Sequence, residues 1–368
     1  MSLRLCYAAT GRYLTAACVL LLCAMVNAHA AEADFLQCAS KPNDDERLKC
    51  YDDLAWRQTN APAAVKPEPV ALPEIPSPLP AQPEVKSVDW NSRSYLTRAW
   101  NLDGRAREGG AQLTPLRPYR TSYLIVRSTN SPNRQPNTPA AGHTTAVPLD
   151  LDTVESKFLI SFKAEIMNYR EIHWLNFRDF RLWGAYTQQS NWQAFNARSS
   201  APFRETNYEP ELIATFGTAN PQGLKMVNVG FVHQSNGKQI PESRSWNRVY
   251  LQGGWEWDNN LSLLARGWWR IPETAMMNDN PDLQSYLGYG DALIRWEPDT
   301  SQSVSLLLRN NLQTGQNRGF AQLDWTTPVF IGKSAKLHAQ VSNGYGESLI
   351  DYNHPQTTFG LGISFREW

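Results

Sequence analysis

The 368-residue chain carries no excess charge of either sign, with 35 Lys and Arg against 35 Asp and Glu. A balanced chain offers no broad field for gathering polyanions, so no nucleic-acid partner is expected. Long apolar runs are missing too. The best candidate, Leu14 to Met25, falls short of the roughly 20 residues that a spanning helix needs. Arg4 and Arg12 precede that run and Ala28-His29-Ala30 follow it. This is the layout of a secretory signal peptide over residues 1–30, cleaved after Ala30. Cysteine is scarce, and three of the five (Cys6, Cys18, Cys23) fall in the leader. The remaining Cys38 and Cys50 are too few for a thiolate metal site, and an even pair in an exported chain reads as a disulfide. It would staple a small segment, residues 31–60.

Proline and aromatic residues are plentiful. Residues 61–87 are rich in Pro, Ala and Glu, cannot bury a core, and read as an extended linker. A lead-in, residues 88–117, follows. From residue 118 to 368 the hydrophobic period is two: Phe158, Ile160 and Phe162 alternate with polar neighbours, as do Val227, Val229 and Phe231, and Phe359, Leu361, Ile363 and Phe365. About twelve such runs separated by Asn, Gly, Pro and Asp turns predict an all-β fold, a closed transmembrane antiparallel barrel. A secreted β-sandwich would alternate as well. Two features favour the membrane: clustered aromatics (Trp255, Trp257, Trp268, Trp269, Tyr286, Tyr289) suited to interface girdles, and a last strand that runs to Trp368.

Strand parity singles out one stretch, Phe231-Val-His-Gln-Ser-Asn-Gly237. His233 and Ser235 share the parity of Val227, Val229 and Phe231, and so continue the lipid-facing side of their strand. Asn247 has the parity of Val249 and Leu251 in the next run. A hairpin turning about Ile240-Pro241 sets 233 opposite 247. Polar groups directed at lipid are functional by default. Such a set can perform acyl transfer: Ser235 as nucleophile, His233 as general base, and Asn247 orienting the imidazole. Gly237 could lend its N–H to an oxyanion. The plainer alternative is a strand end with an Asn-Gly turn. At the level of the whole chain, the alternative is a pore or binding barrel.

Five segments carry a resemblance: Phe203 to Pro210 (F-R-E-T-N-Y-E-P), His233 to Gly237 (H-Q-S-N-G), Ser243 to Arg248 (S-R-S-W-N-R), Asp279 to Asp282 (D-N-P-D) and Gly344 to Asn353 (G-Y-G-E-S-L-I-D-Y-N). In order and spacing the chain resembles the outer-membrane phospholipase A family from about Pro118 onward. The resemblance implies a twelve-stranded barrel in the outer membrane of a Gram-negative bacterium. It implies a homodimer that hydrolyses the sn-1 and sn-2 acyl esters of phospholipid with calcium. The family's Ser, His and Asn fall on Ser235, His233 and Asn247. Its dimer-site calcium ligands fall on Lys238 (carbonyl) and Ser243, with a carbonyl at Ser200 of the partner subunit. Its interface glutamine falls on Gln188. Asp279 matches an acid of a second calcium site, but Ile240 stands where relatives carry a second acid. Gln234 replaces an acidic residue and is expected to point into the barrel.

Overall fold

The structure, a computed structural model, describes residues 38, 41, 43–59, 93–103, 116–174, 176–198, 203–299, 301–329 and 335–365. The signal-peptide region, the Pro-rich stretch, Ser200 and Trp368 lie outside them. The chain divides into two compact units, Met1–Glu84 and Val85–Trp368. In the first, helix α1 (Asp44–Thr59) opens on Asp44, Asp45 and Glu46, which set negative charge at the positive end of the helix dipole. The Asn43 side chain accepts from the Asp45 N–H at 3.0 Å. Cys38 and Cys50 form a disulfide with their Cα atoms 5.5 Å apart.

The second unit holds strands β1 (Leu116–Pro118), β2 (Tyr123–Thr129), β3 (Val154–Trp174), β4 (Phe177–Trp192), β5 (Glu205–Gly217), β6 (Gly223–Ser235) and β7 (Ser245–Trp257). It continues with β8 (Leu261–Arg270), β9 (Gly290–Trp296), β10 (Ser303–Asn310), β11 (Gly319–Pro328), β12 (Ala335–Gly344) and β13 (Gln356–Phe365). β1 and β2 pair end to end with β3 and act as one stave. Pairing of β2 with β13 and of β3 with β4 closes an antiparallel barrel of twelve staves. Longer loops, such as 130–153 and 271–289, lie at the end of the barrel opposite the start of β2, and short turns such as 258–260 link strands at the end where β2 starts.

Alternation sorts the side chains in the sense opposite to a soluble protein. On β3, Ile160 and Phe162 are exposed, while Lys157, Ser161 and Lys163 are buried. Leu361 and Ile363 on β13, and Val229 and Phe231 on β6, face outward as well. Apolar outside and charged inside is the pattern of a barrel solvated by lipid, and it removes the sandwich alternative. The aromatic cluster divides. Trp257, Trp269 and Tyr289 are exposed and suit the girdle, but Trp268 and Tyr286 pack inward against Trp246 and Tyr352. Strand alternation requires that split, because Trp268 and Trp269 are neighbours on one strand.

Paired ions fill the lumen. Lys157 Nζ meets Glu347 at 2.7 Å, Arg127 pairs with Glu155 and Glu347, and Arg120 Nη2 lies 3.0 Å from Glu209 and 3.1 Å from Glu211. Lys163 Nζ sits 3.1 Å from the centroid of the Trp100 ring, a cation–π contact in a desolvated site. Apolar plugs sit toward each end. Toward the end where β2 starts, helix α2 (Tyr95–Trp100) inserts Leu96 and Trp100 among Trp183, Ile213, Met226 and Leu264. Its start is held by Glu256, which accepts from the Leu96 N–H and the Ser94 hydroxyl, each at 2.6 Å. Toward the other end, Leu349 and Tyr352 of loop 345–355 join Val232, Trp246 and Trp268, together with Leu287 of the short helix α3 (Gln284–Leu287).

Candidate active site

The site grows from the β6–β7 hairpin, whose register pairs His233 with Asn247 and Ser235 with Ser245. Loop 236–244 is closed by Asn236. Its N–H donates to the Arg244 carbonyl at 3.0 Å, and its side-chain oxygen accepts from the Arg244 N–H at 3.0 Å. Gly237 sits at φ +64, and a Cβ there would stand 3.1 Å from the Tyr208 ring, so the turn needs glycine on both counts. The Ile240–Pro241 peptide is cis.

Val229 and Phe231 are each 43% exposed on the outer face, and His233 and Ser235 follow them at the same parity, half-buried. His233 Nδ1 lies 2.8 Å from Asn247 Oδ1. An amide oxygen only accepts, so this contact places the proton on Nδ1 and leaves the Nε2 lone pair free to take another. Among the described residues, Ser235 Oγ has no hydrogen-bond partner. Gln234 turns into the lumen and accepts from Trp246 Nε1 at 2.8 Å and Arg248 Nη1 at 3.0 Å.

An oxygen-rich cluster adjoins the pair. Ser243 Oγ donates to Asp279 Oδ2 at 2.7 Å and Ser245 Oγ to the same atom at 3.2 Å, while His143 Nε2 stands 3.1 Å from Asp279 Oδ1. The Lys238 ammonium pairs with Glu242. Hydroxyls, carboxylates and backbone carbonyls are the hard oxygen donors calcium takes, and the clustered oxygens of Ser243, Ser245 and Asp279 are of that kind. Ile240, 63% exposed, adds no ligand. Among the described residues, no three His, Cys, Asp or Glu side chains gather as a metal cage.

Gln188 lies on the same outer face. Cross-strand pairs join Gln188 to Tyr208 and Tyr208 to Ser235, forming a row across three neighbouring strands. The Gln188 amide bonds within its own strand, accepting from Tyr186 Oη at 3.0 Å and donating to Ser190 Oγ at 3.3 Å. Sequence reasoning missed two groups. His143 and Glu273 sit in loops, where no periodicity marks a side chain's direction. Glu273 Oε1 accepts from Asn247 Nδ2 at 3.2 Å.

A family model described as phospholipase A1 matches residues 96–365. The chain is 36% identical over 363 residues to a putative phospholipase A1 of Neisseria meningitidis serogroup B, covering 90% of this chain and 91% of that one. It is 36% identical over 255 residues to the phospholipase A1 of Escherichia coli K12, covering 68% of this chain and 82% of the relative. Among solved structures, a calcium-bound dimer of the Salmonella typhi outer membrane phospholipase superposes with a TM-score of 0.59 at 34% identity, over 72% of this chain and 95% of that one. An active-site Asn-to-Ala mutant of E. coli outer membrane phospholipase A gives a TM-score of 0.58 at 35% identity, over 71% and 95%. On sequence and on architecture together, the chain belongs to the outer-membrane phospholipase A family.

Proposed function

We propose that this outer-membrane phospholipase cleaves phospholipid acyl esters on the outside of its barrel, with Ser235 as nucleophile, His233 as general base and Asn247 as the group that orients it. The observation that carries the reading is the 2.8 Å contact of His233 Nδ1 with Asn247 Oδ1 on a lipid-facing surface. A barrel that merely spans has no use for a histidine held in one tautomer there, because polar groups against lipid are costly. Solved relatives support it: one carries an active-site substitution of an asparagine, and another is a dimer with bound calcium.

The chemistry follows from the proton positions. Ser235 Oγ attacks the ester carbonyl as its proton passes to His233 Nε2. The imidazolium is held through Nδ1–H by Asn247 Oδ1 and then protonates the departing lysophospholipid alkoxide. His233 next takes a proton from the water that attacks the acyl-serine, and returns it to Ser235 Oγ as that oxygen leaves and the fatty acid is released. The N–H of Gly237, adjoining the hairpin end, is the candidate donor to the oxyanion. Lys238 through its carbonyl and Ser243 through its hydroxyl would hold calcium, with Ser200 of a second copy completing the shell. Bound there, the ion supplies Lewis-acid stabilisation of developing negative charge. Gln188, in the Gln188–Tyr208–Ser235 row, puts an amide where two symmetry-related copies could bond across a dimer interface. Ile240 speaks for the shared site alone.

The pore reading has less to stand on. Helix α2 and loop 345–355 fill opposite parts of the lumen, leaving an internal cavity of about 260 Å³. The test is release of fatty acid from a defined phospholipid in detergent, with and without chelator, beside covalent labelling by a sulfonyl fluoride. Loss of both in Ser235→Ala is expected. Hydrolysis by Ser235→Ala at the native rate overturns the reading.

A further inference from the structure

We propose that Glu273 is a positioning residue for this hydrolysis: it fixes which way round the Asn247 amide sits and thereby which nitrogen of His233 carries the proton. The inference rests on the Ser235–His233–Asn247 reading and deepens it.

A site built on asparagine has a difficulty that one built on aspartate does not. Both oxygens of a carboxylate accept, so either rotation about the last bond presents an acceptor to the imidazole. An amide presents an acceptor one way and a donor the other. With Oδ1 toward His233, Nδ1 is protonated and Nε2 can take the Ser235 proton. Turned over, the NH2 group faces Nδ1, the tautomer switches, and Nε2 becomes N–H. That form cannot act as a base toward serine. Asn247 needs something to tell its two ends apart.

Glu273 supplies the distinction. Its carboxylate only accepts, and Oε1 lies 3.2 Å from Asn247 Nδ2, on the side away from His233. The flipped amide would set oxygen against carboxylate and nitrogen against Nδ1–H, losing both bonds at once. Glu273 is itself anchored. Arg270 Nη2 donates to its Oε2 at 2.9 Å, with side-chain exposures of 7% for Arg270 and 14% for Glu273. Arg270 is pinned in turn by the Asn280 carbonyl at 2.8 Å and Asn278 Oδ1 at 2.7 Å. The loop is also sewn to the asparagine's backbone, since the Ile271 N–H donates to the Asn247 carbonyl at 2.8 Å. Pro272, next in the chain, fixes its own φ. The chain of contacts runs from Arg270 to Glu273, Asn247 and His233.

The experiment compares Glu273→Ala in two backgrounds, native Asn247 and Asn247→Asp, using purified full-length protein in phospholipid–detergent micelles with saturating calcium. Heat-modifiable migration reports folding. With Asn247 present, Glu273→Ala should lower kcat by about 10- to 100-fold, the scale of a misplaced catalytic group, with little change in KM. An aspartate needs no orienting, so in the Asn247→Asp background the same substitution should cost nothing, or raise kcat by relieving repulsion between two carboxylates. Glu273→Gln, which keeps an acceptor of the same reach, should recover part of the loss. A general disturbance of the loop would lower both backgrounds alike, and that result, or native kcat in Glu273→Ala, overturns the proposal. Should Asn247→Asp be too slow to measure, Asn247→Ala replaces it: Glu273→Ala must then add less than about 2-fold, and multiplying losses overturn the idea. If Glu273→Ala does not fold, Glu273→Gln carries the same two-background comparison, and equal losses reject the role. Failure of the parent reading is separately visible as activity in Ser235→Ala.

Discussion

His233 and His338 both lie on strands of this barrel, each beside a partner fourteen residues away. His338 Nε2 contacts Asp324 Oδ1 at 2.8 Å, and His233 Nδ1 contacts Asn247 Oδ1 at the same distance. By residue type the first pair looks the better catalyst, because a carboxylate stabilises an imidazolium more than an amide does. Yet His338 is 1% exposed in the lumen, edge-on to Tyr123 at 4.7 Å, with Gln340 sharing its aspartate at 2.7 Å. His233 stands on the outside, with a serine two residues along the same face. What separates a structural histidine from a candidate base here is address rather than partner. Inside, polarity is surrounded by its complement; outside, it faces hydrocarbon.

The sharpest break in that comparison is removal of the outer groups. Ser235→Ala or His233→Ala should each lower phospholipid hydrolysis by at least about 10³-fold, and the double mutant should be little worse, since groups acting as a unit do not add. His338→Ala should leave kcat within about 3-fold and instead lower the thermal midpoint of the folded barrel. Loss of activity in His338→Ala with the barrel intact would move the chemistry into the lumen.

The inner network is best broken at Glu347, in loop 345–355. Burial alone would raise its pKa, but Arg127 and Lys157 hold it down to about 2. A carboxyl depressed from 4.5 stabilises the folded state fully above pH 4.5 and loses that contribution as pH falls toward 2. Glu347→Gln leaves buried Lys157 without a carboxylate and Arg127 with Glu155 alone, and should cost about 3–5 kcal/mol at neutral pH. Urea unfolding of the mutant should lose its dependence on pH between 4.5 and 2 that is due to this group.

Asn247→Ala should be milder than loss of His233, about 10- to 100-fold in kcat, because packing keeps the ring partly oriented. The smallest effect belongs to Gln188. An amide bond across membrane-embedded surfaces contributes about 0.6 kcal/mol. Gln188→Ala should therefore move the calcium midpoint of activity and crosslinking upward by about 3-fold. A fully active monomer in excess chelator would remove calcium and the dimer from the mechanism.

Period-two patterning made the barrel legible, and parity together with a hairpin turning about Ile240-Pro241 set His233 opposite Asn247, the register the structure contains. Alternation transmits a side chain's direction along a strand, so a polar residue in a lipid-facing series announces itself. Loops carry no such rule. Glu273 and His143 reach the site from segments 271–283 and 130–153, whose course depends on contacts such as Arg270 with the Asn280 carbonyl and Thr138 Oγ1 with the Asp279 carbonyl. Helix α2 was equally hidden. Six residues of Tyr-Leu-Thr-Arg-Ala-Trp are too short to show a period, and their place inside the barrel rests on a long-range partner, Glu256.

The row Gln188–Tyr208–Ser235 runs along the outer wall, not within a pocket. If Ser235 is the nucleophile, as proposed, a substrate reaching it need never leave the bilayer: it would arrive by lateral diffusion, and both products would depart the same way. Encounter is then two-dimensional, and the effective concentration is a mole fraction within the membrane plane. Diluting the lipid with inert amphiphile at constant bulk concentration should slow turnover, whereas diluting the whole suspension should not.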